Sequence, residues 1–248
     1  MPLQCVILAG GRGTRMKPLT DTIPKALVPV LGAPFAGWQL SWLATHGVRK
    51  VTYSVGYKAE MIRGYVGDGS RWSVAVDYVD EGEDLRGTGG ALRLALDRGA
   101  LDESFFLLYG DSFLPVDISP IEAVWDRAGT SALMTVMRNE NHWDVSNVIF
   151  RDGRVVLYDK RRPPERAAEM QWIDYGLSVL KRDIIEAGVP SGTVADIADL
   201  LRDVSISGDL AGLEVDQRFY EVGSPEGLRD LEDYLTRSRT QAASTPYQ

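Results

Sequence analysis

Four cations, Arg12, Arg15, Lys17 and Lys25, fall within 14 residues, and Gly10, Gly11 and Gly13 open the same stretch. Glycines let backbone N–H groups come close to an anion, and neighbouring cations neutralise its charge. The chemistry this predicts is phosphate binding. The plain alternative is a tight strand-to-helix turn with a solvated basic face, and four cations so close together weigh against it. Two common phosphate loops do not fit. A dinucleotide fingerprint needs a third glycine where Met16 stands, and an acid closing the second strand, where Val51–Val55 runs into Gly56. The ATPase-type loop needs Gly-Lys followed by Ser or Thr, and Gly-Lys occurs nowhere in the chain.

Three further residues stand where strands end. Asp111 follows the apolar run Phe105–Tyr109, Glu221 lies at the end of Phe219–Val222, and Lys160 follows Val155–Asp159. Ligands of open α/β sheets bind beyond the carboxyl ends of the strands, which is where Gly10–Gly13, Asp111 and Glu221 fall. Their plain readings are a turn or capping acid for Asp111 and a solvated strand-end lysine for Lys160.

The elements that would carry these residues are legible. Gln4–Ala9 is a short continuous apolar run, as in a strand buried on both faces. Val51–Val55, Val74–Val79, Phe105–Tyr109 and Ala132–Met137 read as further strands. Phe35–His46, Ala59–Val66, Gly90–Asp97 and Ile118–Ala128 read as helices between them. The alternation predicts an α/β fold with a doubly wound, mostly parallel Rossmann-like sheet. The second half turns β-rich: Ser146–Phe150 and Val155–Asp159 flank an Asp152-Gly153 hairpin signal, and Gly176–Leu180 reads as a strand. Arg182–Ala187 and Val194–Val204 read as helices, Leu213–Val215 as a short strand, and Pro225–Arg237 as the last helix. The polar tail 238–248 is expected to fray.

Composition narrows the partners. The chain has 248 residues, 44% of them hydrophobic and 25% charged, as in a soluble globular protein. Its net charge of −8 argues against nucleic acid as a partner. No apolar run approaches the ~20 residues of a membrane span, and Met1–Gln4 lacks a signal-peptide start. One cysteine, Cys5, and two histidines, His46 and His142, leave no disulfide and no His-rich metal site. Trp38 and Trp42, four apart on a helix, read as core packing. A cytoplasmic enzyme is the expectation.

Residues 8–34, from Leu-Ala-Gly-Gly-Arg-Gly-Thr-Arg-Met-Lys-Pro-Leu-Thr through Pro24-Lys25 to Pro34, closely resemble the opening motif of the sugar-1-phosphate nucleotidylyltransferases. That family includes GDP-mannose pyrophosphorylases and heptose-1-phosphate guanylyltransferases. The resemblance continues at Gly87-Thr88-Gly89-Gly90, Tyr109-Gly110-Asp111, Asp159-Lys160, Asp174-Tyr175-Gly176 and Val222-Gly223-Ser224-Pro225, so it covers about residues 3–236. It implies Mg²⁺-dependent transfer from a nucleoside triphosphate to a sugar 1-phosphate, with a lean to hexose or heptose guanylyl transfer. By the same resemblance, residues 1–237 form a single domain on the nucleotide-diphospho-sugar transferase fold. Its nucleotide half would be about 1–137, and 138–237 a sugar-phosphate half with a small β-rich insertion. A homo-oligomer is compatible with this reading.

The resemblance also implies roles. Leu8, Ala9, Gly10, Gly11, Gly13 and Thr14 would wrap the triphosphate, with Gly89 and Gly90 near base and ribose. Arg15 and Lys25 would neutralise charge around the α-phosphorus, and Asp111 and Glu221 would hold Mg²⁺. Lys160 would hold the sugar phosphate, with Asp174 and Gly176 touching the sugar. Three positions depart from the family pattern: Glu221 for the usual Asp, Asp174-Tyr175 for the usual Asn-Ala, and Arg86 for the usual Leu. Two other classes share some features. A silent nucleotide-sugar-binding regulator would be expected to lose Arg15, Lys25 or Asp111, and all three are present. A glycosyltransferase on the related fold commonly carries Asp-x-Asp, where this chain has Asp111-Ser112-Phe113.

Overall fold

The computed structural model describes residues 3–244. Thirteen strands run in chain order: β1 (Gln4–Leu8), β2 (Pro29–Val30), β3 (Ala33–Pro34), β4 (Lys50–Val55), β5 (Ala75–Asp80), β6 (Ser104–Tyr109), β7 (Ser112–Phe113), β8 (Ala132–Arg138), β9 (Val148–Arg151), β10 (Arg154–Tyr158), β11 (Trp172–Lys181), β12 (Leu210–Glu214) and β13 (Tyr220–Glu221). The helices are α1 (Phe35–Thr45), α2 (Ala59–Val66), α3 (Gly87–Asp97), α4 (Ser119–Ala128), α5 (Arg182–Gly188), α6 (Ile197–Ile206) and α7 (Pro225–Ser244).

Nine strands make one sheet in the order β5-β4-β1-β6-β11-β8-β12-β10-β9. The block β5-β4-β1-β6 is parallel throughout, and β12 runs parallel to β8. β11 lies antiparallel between β6 and β8, and the β9–β10 hairpin closes the far edge. From β1 the chain moves outward to β4 and β5, then returns to β6 on the other side of β1. That reversal leaves a crevice at the carboxyl ends of β1, β4 and β6, where such sheets bind ligands.

The strand period of two divides the core between two faces. Cys5 and Ile7 of β1 pack with Phe35 and Leu40 of α1, Ile62 of α2 and Leu231 of α7. Val6 packs on the other face with Leu92 of α3, Ile185 of α5 and Leu201 of α6. Trp42 is buried, and its indole N–H donates to the Val116 carbonyl at 3.2 Å, which fits the packing role.

Boundaries shift from the sequence reading at several elements, and four of the shifts bear on the site or the core. α3 starts at Gly87 because Gly89 and Gly90 N–H groups bond to Ala195 O, an anchor outside the segment. α6 starts at Ile197 because Asp196 caps it, accepting from Ala198 N at 2.9 Å. β11 begins four residues before Gly176, since β8 gives Trp172–Asp174 partners. α7 continues to Ser244, so residues 238–244 are helical where fraying is expected; 245–248 lie outside the described residues. The predicted hairpin turn is present, with Asp152 and Gly153 both left-handed at φ 49° and 74°.

Candidate active site

β1 ends against two neighbours. Ala9 N donates to Ser54 O of β4 at 2.8 Å, and Gly110 N donates to Leu8 O at 2.9 Å. The chain then turns through the glycines. A Cβ on Gly10 would lie 2.5 Å from Glu81 Oε1, so a larger residue there would displace the Glu81 carboxylate. Gly13 is left-handed, φ 63°, and starts the short 3-10 turn Thr14–Met16. Thr20 Oγ1 fixes the turn by donating to Gly13 O at 2.8 Å.

Two cavities meet beside this loop. The first, about 220 Å³, has Leu8, Ala9, Gly10, Gly11 and Gly13 along one wall. Lys25, Tyr109 and Asp111 lie at the β6 side, and Glu81, Leu85, Gly87 and Thr88 at the β5 side. The second, about 270 Å³, is lined by Arg15, Lys160, Asp174, Gly176 and Glu221, together with Asp144 and Asn147 of the 139–147 loop. Tyr109 and Asp111 belong to both walls.

At that junction Lys25 Nζ donates to Asp111 Oδ2 at 2.6 Å, both side chains about four-fifths buried. β13 pairs with β7, setting Glu221 beside Ser112, and Val222 N donates to Asp111 O at 2.9 Å. The two carboxylates, distant in sequence, therefore converge. Burial first, and then the Asp111 charge, push the Glu221 carboxyl up to about 7, while Arg15 and Lys25 pull it down. The Arg15 guanidinium reaches this place across Gly223, where a Cβ would lie 3.2 Å from it.

On the far side, Lys160 Nζ lies 3.9 Å from the Asp196 carboxylate and 6.0 Å from the Tyr109 ring centre. Its predecessor Asp159 is buried and accepts from Arg202 Nε at 2.7 Å and from Arg161 N at 2.9 Å. Burial raises the Asp159 carboxyl, but these bonds outweigh it and the net shift is downward. Asp174 is raised by burial; it accepts from Gly176 N at 3.0 Å and lies 3.4 Å from the Tyr158 hydroxyl. Gly176, φ 100°, sits in the irregular part of β11.

Most of the expected residues line the two cavities, and three do not. Thr14 opens the 3-10 turn and is exposed, outside both walls. Gly89 and Gly90 are buried in the first turn of α3 and line neither cavity. A Cβ on Gly90 would be 2.5 Å from Thr193 O, and one on Gly89 3.1 Å from Ile197 N. Their lack of side chains lets α3 dock on the 193–197 segment, and Gly87 and Thr88 reach the cavity instead. Sequence reading passed over Glu81, Tyr109, Asp144 and Asn147. Glu81 carries a signal in the sequence, an acid just past the third strand run Val74–Val79.

Among the described residues no group of three or more His, Cys, Asp or Glu is placed to hold a metal. The pair Asp111 and Glu221 still suits Mg²⁺, which often takes one or two carboxylates and completes its shell with phosphates and water. No helix among the described residues is long and apolar enough to cross a membrane.

Residues 4–158 match the family model described as nucleotidyl transferase. A UTP–glucose-1-phosphate uridylyltransferase of Synechocystis is 26% identical over 95% of this chain, which spans 64% of that relative's length. A D-glycero-alpha-D-manno-heptose 1-phosphate guanylyltransferase of Campylobacter jejuni is 34% identical, covering 73% of this chain and 77% of its own. The solved structure of HddC from Yersinia pseudotuberculosis, complexed with GMP-PN, superposes with a TM-score of 0.74 at 24% identity, over 94% of this chain and 99% of its own.

Proposed function

This chain belongs to the nucleotidyl transferase family, and from that premise we propose that it moves a nucleoside monophosphate from a nucleoside triphosphate to a sugar 1-phosphate, releasing pyrophosphate. The observation that carries this reading is the shared wall of Tyr109 and Asp111 between two cavities of different character. One is flanked by a glycine loop suited to a triphosphate, and the other holds Lys160, suited to a sugar phosphate. A reaction joining two phosphates needs their phosphorus atoms brought to one junction.

In this reading a sugar-phosphate oxygen attacks the α-phosphorus in line. One P–O bond forms as the bond to pyrophosphate breaks, and no covalent enzyme intermediate or proton transfer is required. The residues act by alignment and charge stabilisation. Backbone N–H groups of Gly10–Gly13 hold the triphosphate, Lys25 and Arg15 face the charge gathering at the junction, and Lys160 holds the attacking phosphate. Asp111 and Glu221 would hold Mg²⁺, which when bound neutralises charge on the phosphate oxygens. A triphosphate substrate and the lone buried Cys5 fit a cytoplasmic setting.

The test is pyrophosphate release measured with a panel of triphosphates and sugar 1-phosphates in Mg²⁺. Release should require both substrates together. Inorganic phosphate release, or sugar transfer from a nucleotide sugar, would overturn the reading.

A further inference from the structure

Glu81 is the one acid in the first cavity that the proposed chemistry leaves unused. It lies just past the carboxyl end of β5 and is 9% exposed. One carboxylate oxygen, Oε2, accepts from Arg86 N at 2.7 Å. The other, Oε1, has no hydrogen-bond donor among the described residues, and it lies so close over Gly10 that a Cβ there would meet it at 2.5 Å. A largely buried carboxylate that faces a ligand cavity with one oxygen unpaired by the protein is an open acceptor for a ligand's donors.

The sheet says which part of a nucleotide would meet it. Glu81 and Asp111 stand at the ends of β5 and β6, three strand positions apart in the order β5-β4-β1-β6. At about 4.8 Å per strand that is roughly 14 Å, the scale of a nucleoside monophosphate lying across the strand ends. With the reacting phosphate at the Lys25–Asp111 junction, the far edge of the base falls at Glu81. Leu85 packs across Gly56, where a Cβ would meet its Cδ2 at 2.6 Å, and offers the base an apolar surface.

We infer that Glu81 reads the base and selects guanine, an inference that rests on the nucleotide-transfer reading above. Guanine presents two adjacent donors, N1–H and N2–H, to a carboxylate. Adenine and cytosine turn an unprotonated ring nitrogen toward the same place, and uracil and thymine flank their single N–H with two carbonyls. Paired donors to a charged acceptor make strong bonds, and a site built for them discriminates against a ligand that lacks one.

Calorimetric binding without sugar phosphate tests this. GTP should bind at least about tenfold more tightly than ITP, which lacks only the 2-amino group, and more tightly than UTP, CTP, dTTP and ATP. Glu81→Gln should weaken GTP about tenfold or more while UTP holds or improves, because an amide can donate to a uracil carbonyl. Equal binding of GTP and ITP, a stronger affinity for another base, or an equal loss of all triphosphates in Glu81→Gln would overturn the inference. Equal loss would leave Glu81 as no more than the anchor of Arg86. The GTP–ITP comparison needs no substitution, so it stands even if the variant folds poorly. A protein that binds no triphosphate would overturn the proposed function itself.

Discussion

Lys25 Nζ lies 2.6 Å from Asp111 Oδ2, so the ammonium suited to face the triphosphate is held by a carboxylate suited to face a metal. Neither group is left alone at the junction before substrates arrive. When phosphates and a divalent cation enter, both can exchange this partner for a new one of opposite charge.

Lys25→Ala should therefore lower kcat by about 10²-fold or more, the scale for losing one donor aimed at developing charge. Stability should change little, since the pair faces an open cavity where water can reach the freed Asp111 carboxylate. Pyrophosphate-release kinetics alongside thermal melts check both halves. A melt that falls steeply while kcat holds would make the pair structural.

Glu221 gives a pH dependence. In the metal-free protein its carboxyl is raised from about 4.5 to about 7 by burial and by Asp111. A divalent ion needs it ionised, so the Mg²⁺ concentration for half-maximal activity should fall as pH rises from 6 to 8. Stability runs the other way. Between about 4.5 and about 7 the folded state binds more protons than the unfolded one, so metal-free stability should drop as pH climbs through that window. Glu221→Gln should flatten that slope and raise the Mg²⁺ requirement. Metal dependence unchanged in the variant would make Glu221 a bystander.

The parallel half of the sheet was legible because β1 and β6 are short apolar runs and β4 is rich in β-branched and aromatic residues, each running into glycine, a local signal. The glycine loop, Lys25, Asp111 and Lys160 were legible for the same reason. What the sequence hid is long-range. Nothing local says that Gly90 packs on Thr193, that β11 enters between β6 and β8, or that Glu221 sits beside Ser112. Asp144 and Asn147 reach the second cavity only because buried Asn139 folds the 139–147 loop, bonding to Asp144 O and Ser146 Oγ.

Lys160 and Arg202 should behave as a contact and its support. Lys160→Ala should raise KM for the sugar phosphate and leave KM for the triphosphate nearly unchanged. Arg202 touches neither cavity wall, but it holds Asp159 at 2.7 Å and so fixes the end of β10 from which Lys160 projects. Arg202→Ala should give the same one-sided KM effect in weaker form, and Arg202→Lys should restore part of it. Equal effects on both substrates in Lys160→Ala would place it outside the sugar-phosphate site.

The glycines of α3 separate packing from ligand contact. A Cβ on Gly90 would come within 2.5 Å of Thr193 O, a backbone atom, and 2.8 Å of Arg86 Cβ. Gly90→Ala must push the 193–197 segment away from α3, and overpacking of this kind costs roughly 1–3 kcal/mol. That shift would loosen Asp196, which accepts from Thr88 Oγ1 at 2.8 Å and lies 3.9 Å from Lys160. The expected result is a lower melting temperature with KM raised for both substrates, because Asp196 of the moved segment holds Thr88 of the first cavity and lies beside Lys160 of the second. If Gly90 touched the base directly, Gly90→Ala would leave the melt near that of the parent protein and raise KM for the triphosphate alone. Thermal melts set beside two-substrate kinetics distinguish the outcomes.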